Sequence, residues 1–156
     1  MPAFKMDIAN EFLQALCFYL YDKHDLPRKF VRVLVVHNAD QDRLNRSDPR
    51  AFCFVREEKP LRIEAAKALE SLPDQFLLGV LYHELGHLVL GAFGTSGDEP
   101  KVDLWCTEFA PELRYTYSSV TYPAIHGGRA VAMNLQRVSY KPIENFAEQA
   151  RKRPNG

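Results

Sequence analysis

The sequence lacks a long apolar segment, although 46% of its 156 residues are hydrophobic. No stretch approaches the roughly 18 uninterrupted apolar residues that a membrane-spanning helix needs. At the N-terminus, MPAFKMDIANEF is broken by Lys5, Asp7 and Glu11, so it contains no apolar core of a signal peptide. These absences predict a soluble protein without a membrane partner.

Cysteine is scarce, and its three positions exclude the common cysteine-based architectures. Cys17, Cys53 and Cys106 form no C-x-x-C pair and no even disulfide framework, and each lies among apolar residues. We therefore expect three reduced thiols in the core of a cytoplasmic protein.

Net charge is also absent, since 20 basic residues balance 20 acidic residues. A balanced chain has no overall signature of nucleic-acid binding, so we expect no direct contact with DNA or RNA. The chain has no internal repeat, and its length predicts one domain over residues 1–156. Within it we distinguish residues 1–50, a core at 51–113 and a C-terminal extension at 114–156. The oligomeric state stays open.

The first half of the chain predicts one helix and three strands. Apolar residues recur at helical spacing over residues 8–21, and the β-branched run at 31–38 predicts a strand followed by a polar surface loop. Residues 51–55 and 61–65 resemble two further strands. Because apolar and charged residues alternate in the second of these, LRIEA, we expect a half-solvated strand near an edge of the sheet.

Helices dominate the second half. Ser71 as N-cap and Pro73 in the first turn predict a helix that begins near residue 72, with Gly91 and Gly94 as stop signals. Another helix is expected over residues 101–110 and must end at Pro111. Beyond it, residues 114–123 are ambiguous between strand and loop, and Pro142 can begin a last helix. The order of elements indicates an α+β fold.

The most informative segment is YHELGHLVLG at residues 82–91. On a helix, His83 and His87 project from one face, one turn apart, which lets two imidazoles approach one tetrahedral Zn²⁺. Glu84 lies beside such a metal and can act as general base toward its water, whose pKa falls from 15.7 toward about 7. A chance match is the alternative. Burying these unpaired groups would be costly, and Gly86 permits close packing, so we favour a zinc site.

A hydrolytic zinc site needs a third protein ligand and an open position. Asp103 lies one turn inside the following helix, on a face shared with Cys106, whereas Glu108 points away. Asp98 and Glu99 stand at the helix start, where acids ordinarily compensate the helix dipole. We therefore expect Asp103 as the third ligand, with Glu99 as the next choice.

HELGH followed by DLWCTEFAPEL resembles the small gluzincin metallopeptidases of the ImmA/IrrE type, in which H-E-x-G-H precedes a helix of pattern E-x-E-A-x-x-F-A-x-x-L. On that pattern Asp103 falls at the ligand glutamate, and Phe109, Ala110 and Leu113 match its end. The resemblance covers residues 51–113. It implies a minimal zincin-like fold with a small mixed sheet, an active-site edge strand (LRIEA) on the HExxH helix, and a following ligand helix.

The resemblance also implies proteolysis of a regulatory protein. We expect an intracellular zinc-dependent endopeptidase with a narrow protein or peptide substrate and Glu84 as general base. A tyrosine, histidine or arginine commonly stabilises the oxyanion in zinc peptidases, and His126, beside two glycines, is our candidate among Tyr115, Tyr117, Tyr122, His126 and Arg129.

Two other functions stay open at this point. A zincin-like module could bind zinc and sequester a partner without cleaving it, although such a module has no use for Glu84 beside the metal. Zinc hydrolysis of a non-peptide amide, as in deformylases, would require an additional cysteine ligand motif that is not apparent here.

Overall fold

The computed structural model describes residues 4–48, 51–55, 60–92 and 98–114. These residues form four α-helices, three β-strands and short 3₁₀ turns. The helices are Asp7–His24 (α1), Ala39–Ser47 (α2), Asp74–Leu90 (α3) and Asp98–Glu108 (α4), and the strands are Leu34–His37 (β1), Cys53–Val55 (β2) and Arg62–Ala65 (β3). The combination confirms the predicted α+β class.

The three strands form one mixed sheet in the order β1-β3-β2. β1 runs parallel to β3, with Val35 opposite Ile63, and β2 runs antiparallel to β3, with Cys53 opposite Ala65. The prediction that LRIEA is an edge strand is therefore wrong, because β3 lies in the middle of the described sheet. The edge strand that packs against the motif helix α3 is β2.

A buried glutamate explains why the alternating pattern of β3 was misleading. Glu64 was expected to face solvent, but its side chain is buried. Its Oε1 accepts a hydrogen bond from Asn38 Nδ2 at 2.9 Å, and its Oε2 lies 3.6 Å from Arg62 Nε. These partners compensate the cost of burying the carboxylate, so β3 is covered on both faces.

Helix α1 packs against both α3 and β1 and closes one edge of the sheet. Asn10 makes a paired contact with the β1 backbone: its Oδ1 accepts from Val35 N at 2.8 Å, and its Nδ2 donates to Val35 O at 2.9 Å. The side-chain amide thus takes the place of a neighbouring strand, which satisfies an otherwise exposed strand edge.

The polar segment after β1 was expected to be a loop, and most of it is helix α2. Asn38 caps this helix, since its side chain accepts from the backbone N–H groups of Asp40 and Gln41. Gln41 is buried and donates to Ala51 O. A strong cap and one buried contact therefore outweigh the lack of an apolar face. Strand β1 is also shorter than expected, because residues Arg28–Arg32 form a 3₁₀ turn.

Helix α3 crosses the core, and its side chains from Phe76 to Leu88 are buried. It begins at Asp74 after Pro73, two residues later than predicted, because Ser71 ends a preceding 3₁₀ turn and does not cap the helix. It ends at Gly91, whose φ of 63° lies in the left-handed region that favours glycine. α1, β2 and α4 all pack on it, which explains why apolar residues surround it.

Two further expectations concern membrane spans and the C-terminal extension. No helix among them combines the length and the apolarity needed to cross a bilayer. The proposed extension, with the ambiguous segment at 115–123, His126 and the helix expected from Pro142, lies outside the described residues.

Candidate metal centre

Two histidines of α3 converge at the face that meets α4. His83 and His87 are 3% and 6% exposed, and their rings are nearly perpendicular, with centroids 4.8 Å apart. Their Nε2 atoms lie 3.2 Å from each other. The spacing of four residues thus directs both ring nitrogens to one point, as the sequence predicted.

Glu99, in the first turn of α4, supplies a carboxylate at the same point. Its Oε2 lies 2.9 Å from His83 Nε2, and its Oε1 lies 3.1 Å from His87 Nε2. The side chain of Glu99 is 38% exposed, so this cluster is open to solvent on the carboxylate side. Together His83, His87 and Glu99 offer three donor atoms within 4.8 Å of one another.

The spacing of these donors fits a metal of zinc's size. Bonds of about 2.0–2.1 Å at tetrahedral angles separate neighbouring donor atoms by about 3.3 Å. The two Nε2 atoms lie 3.2 Å apart, and the carboxylate approaches them with one oxygen each, at 2.9 Å from His83 and 3.1 Å from His87, so all three contacts are close to that value. Two imidazoles and one carboxylate are also a known zinc donor set that leaves a fourth position for water or substrate. The cluster therefore fits a metal bound by three protein groups with one coordination position left open.

The second nitrogen of each ring is held by a group outside the cluster. His87 Nδ1 lies 2.6 Å from the carbonyl oxygen of Ala92, and His83 Nδ1 lies 3.5 Å from Asp103 Oδ1. Both acceptors favour a proton on Nδ1, so that in the neutral imidazole the Nε2 lone pair faces the shared point. Such orienting partners are typical of metal-bound histidines.

Asp103, our first choice for the third ligand, therefore lies on the far side of the His83 ring from the cluster. Glu99, our second choice, is the acid that the structure brings to both Nε2 atoms. The two acids are four residues apart and share one face of α4. That spacing was a usable signal: on one face, the first acid can reach the shared point while the second orients a histidine.

The close contact between α3 and α4 determines which acid of α4 faces the two histidines. Cys106 Sγ lies 3.7 Å from Tyr82 O, and at Gly86 an added Cβ would lie 3.0 Å from both Val102 Cγ1 and Trp105 Cε3. The prediction that Gly86 permits close packing is confirmed. Since Cys106 is level with Tyr82 and Val102 with Gly86, the helices run in opposite directions, which brings the start of α4 beside His87.

The carboxylates control the charge of the two histidines. Burial lowers the pKa of His83, but hydrogen bonds to Asp103 and Glu99 outweigh it and raise the pKa to about 10. Hydrogen bonds to both histidines lower the pKa of Glu99 well below its ordinary value. His83 thus holds a proton at neutral pH unless a metal replaces it, so metal binding here releases protons.

Glu84 follows His83 directly in α3, and the pKa of its carboxyl group is shifted. Its side chain is buried, and burial raises the pKa of its carboxyl group, although the charges of His83 and His87 oppose this shift. Cys53, on the strand β2 that packs against α3, is a further influence, and it lowers this pKa. The sequence analysis assigned Cys53 only to the core, and no local pattern connects a residue of β2 with one of α3.

The other predicted residues stand as follows. Cys17, Cys53 and Cys106 form no disulfide; the first and last are buried, and Cys53 is partly buried. His126, the oxyanion candidate, lies outside the described residues, as do the alternatives named with it.

Comparison with known proteins adds no relative. The chain matches no protein-family model, no curated protein and no solved structure.

Proposed function

We propose that the protein is a zinc-dependent endopeptidase that hydrolyses a peptide bond in a narrow protein substrate. One observation carries the proposal: His83, His87 and Glu99 converge with zinc-like spacing while each histidine is oriented from behind. The resemblance of HELGH and the following helix to ImmA/IrrE-type peptidases supports the same reaction. That resemblance implies Asp103 as the third ligand, whereas the geometry favours Glu99, one helical turn earlier in α4.

In this proposal, His83, His87 and Glu99 would hold the metal. When bound, zinc supplies a Lewis acid that acidifies water and polarises the substrate carbonyl. The open side beside Glu99 gives the substrate access. Asp103 and Ala92 keep the two imidazoles in the tautomer that presents Nε2, so the ligands need no reorganisation on binding.

Glu84 has the role of general base. Its carboxylate accepts a proton from the attacking water and later delivers that proton to the nitrogen of the departing amine, so the same group acts twice. Burial raises its pKa, which favours a group that must both take and release a proton near neutral pH. A structural zinc site does not need an acid in this position.

Metal analysis combined with a cleavage assay tests the proposal. The purified chain should contain about one zinc, and His83→Ala should lose it. Glu84→Gln should keep the zinc but fail to cleave a pool of randomised peptides, with products measured by mass spectrometry. If the wild type takes up no metal when zinc is supplied, the proposal is refuted.

The alternative is a zinc-containing module that sequesters a partner, and a capture experiment separates the two. Glu84→Gln, used as a substrate trap, should accumulate a protein that the wild type releases in cleaved form. Equal capture of an intact protein by both forms would favour sequestration over cleavage.

A further inference from the structure

Three polar side chains join the C-terminal end of α1 to the chain just after α4. Glu112 lies in the 3₁₀ turn Pro111–Leu113 that follows α4, and its Oε1 accepts a hydrogen bond from the Tyr19 hydroxyl at 2.5 Å. The same oxygen contacts His24 Nε2. We refer to Tyr19, His24 and Glu112 as the clasp. Its two contacts span 93 and 88 positions of the chain, so the clasp is a tertiary feature.

The chemistry of the clasp makes both contacts hydrogen bonds to one carboxylate oxygen. Burial and the hydrogen bond to Glu112 raise the pKa of Tyr19 to about 12, so the hydroxyl keeps its proton and donates it. An ionised carboxylate only accepts, so His24 donates from Nε2. Burial raises the pKa of Glu112, but the hydrogen bonds from Tyr19 and His24 outweigh it and lower the pKa below its ordinary value. Glu112 is therefore charged at neutral pH and holds two donors of α1.

Ring contacts continue from the clasp into the interface between α3 and α4. The centroid of the His24 ring lies 5.9 Å from that of Phe109, and Phe109 stacks on Trp105 with centroids 4.7 Å apart. Trp105 lies against α3, because a Cβ added at Gly86 would be 3.0 Å from Trp105 Cε3. Gly86 stands between the two histidines of the metal centre. These contacts therefore connect α1 with the helix that carries both histidines.

The clasp holds α4 at the end opposite to Glu99. Both α1 and α4 pack on α3, and the clasp joins α1 to the turn after α4, so the three helices are connected in a ring. Between its ends, α4 meets Gly86 of α3 through Val102 and Trp105. If Glu112 is released, α4 can tilt about this contact, and such a tilt moves Glu99 relative to the histidines.

We propose that the clasp positions α4 so that Glu99 stays at the two histidines of the metal centre. Tyr19, His24 and Glu112 then act on the metal site without touching it. The effect on zinc rests on the proposed function, whereas the clasp itself does not. The alternative is an ordinary surface contact, since the side chain of Glu112 is 40% exposed and exposed ion pairs contribute little to stability.

The first experiment needs neither zinc nor activity. Trp105 is the only tryptophan of the chain, so its fluorescence reports the packing of α4. Glu112→Ala removes the acceptor, and acrylamide quenching of Trp105 in the full chain should increase because the ring becomes more accessible. Glu112→Gln keeps an acceptor oxygen and should lie between Glu112→Ala and the wild type. Glu108→Gln, which changes an exposed acid in the last turn of α4, is the matched control and should leave quenching unchanged.

The second experiment measures the zinc affinity of these variants by competition with a chromogenic chelator. Glu112→Ala should weaken zinc binding on the order of 5-fold, the scale for residues that act on a site through intervening contacts. Tyr19→Phe removes one hydroxyl and keeps the ring, so it should weaken binding less, and it remains informative if Glu112→Ala fails to fold. In the Glu112→Ala background, Tyr19→Phe should have no further effect, because its partner is already absent.

The outcomes separate this inference from the proposed function. Increased quenching with weaker zinc binding supports the inference. Increased quenching with unchanged zinc affinity would overturn the positioning role, and unchanged quenching in both Glu112→Ala and Tyr19→Phe would overturn the clasp. If the wild type takes up no zinc, the proposed function and the positioning role fail together, whereas quenching still decides whether the clasp holds α4. A wild type that binds zinc but cleaves no peptide refutes the peptidase alone.

Discussion

Among the described residues, histidine meets carboxylate in three places, one of which is the contact of His24 with Glu112. The other two differ in what the ring nitrogens face. In the metal centre, His83 and His87 share one carboxylate, and their Nε2 atoms lie 3.2 Å apart. At the end of β1, a single histidine meets a single acid, with His37 Nε2 2.6 Å from Asp42 Oδ2. We refer to His37, Asn38 and Asp42 as the capping cluster.

The capping cluster satisfies its polar atoms locally. Asp42 Oδ1 accepts from the backbone N–H of Lys67 at 2.9 Å, and Asn38 caps α2. In the candidate metal centre, by contrast, the two Nε2 atoms face each other, while the Nδ1 atoms lie 2.6 Å from Ala92 O and 3.5 Å from Asp103 Oδ1. A histidine beside an acid is therefore weak evidence for a metal, whereas convergence of rings oriented from behind is strong evidence.

The largest effect is expected on zinc affinity, when Glu99, the carboxylate shared by the two histidines, is replaced. Glu99→Gln should weaken zinc binding by more than about 100-fold, because a ligand is lost. Asp103→Asn should weaken it by about 10–100-fold, the usual range for a partner that orients a ligand. Competition with a chromogenic zinc chelator measures both, and Glu108→Gln is the control on the same helix. A larger effect at Asp103 than at Glu99 would reverse the two roles.

The choice between Glu99 and Asp103 could not be made from the sequence alone. The periodicity of α3 and the spacing of His83 and His87 are local, so the motif helix and the convergence of the two histidines could be predicted. The choice between Glu99 and Asp103 depends on how α4 crosses α3, which is set by the contacts of Gly86 with Val102 and Trp105. The residue pattern of a single helix does not predict how it is aligned along a neighbouring helix.

The same limit applies to the sheet and to α2. LRIEA alternates as an edge strand does, but Asn38 and Arg62 provide partners that let Glu64 be buried, and both partners become visible only once the chain is folded. α2 has few apolar residues, and its formation depends on a cap and on the contact of Gln41 with Ala51. Tertiary partners, rather than local propensity, decided both cases.

The second prediction compares the two regions through stability. Zinc at 100 times its Kd should raise the free energy of unfolding by about 2.7 kcal/mol through mass action. His87→Ala should abolish this increment, and His37→Ala should keep it even if its baseline stability falls. Thermal or urea unfolding with and without zinc provides the measurement. An increment that disappears in His37→Ala would place the metal in the capping cluster.

The third prediction concerns the helix contact on which the metal centre depends. Gly86→Val should destabilise the fold by about 1–3 kcal/mol, since the added side chain meets Val102 and the ring of Trp105 in a packed core. It should also weaken zinc binding, because α4 carries Glu99. Gly86→Ala, which adds only a Cβ, should do less of both. Urea unfolding and chelator competition test this, and unchanged zinc affinity in Gly86→Val would mean that the centre does not depend on this contact.

The smallest effect is expected at the capping cluster and depends on pH. Burial raises the pKa of Asp42, but the hydrogen bonds from Lys67 N–H and from His37 outweigh it and lower the pKa below its ordinary value. A carboxyl group with a lowered pKa in the folded state stabilises the fold above its unfolded pKa of about 3.9, and this contribution is lost as pH falls through the folded value. Asp42→Asn should therefore cost about 1 kcal/mol at pH 7, the difference between charged and neutral hydrogen bonds. The cost should shrink below about pH 4, where the wild-type carboxyl begins to take up a proton. Urea unfolding of both proteins across this range measures the difference, and zinc affinity at pH 7 should be the same in both. A cost that stayed constant down to pH 2 would mean that the charge of Asp42 contributes nothing, and that only its shape matters in the cluster.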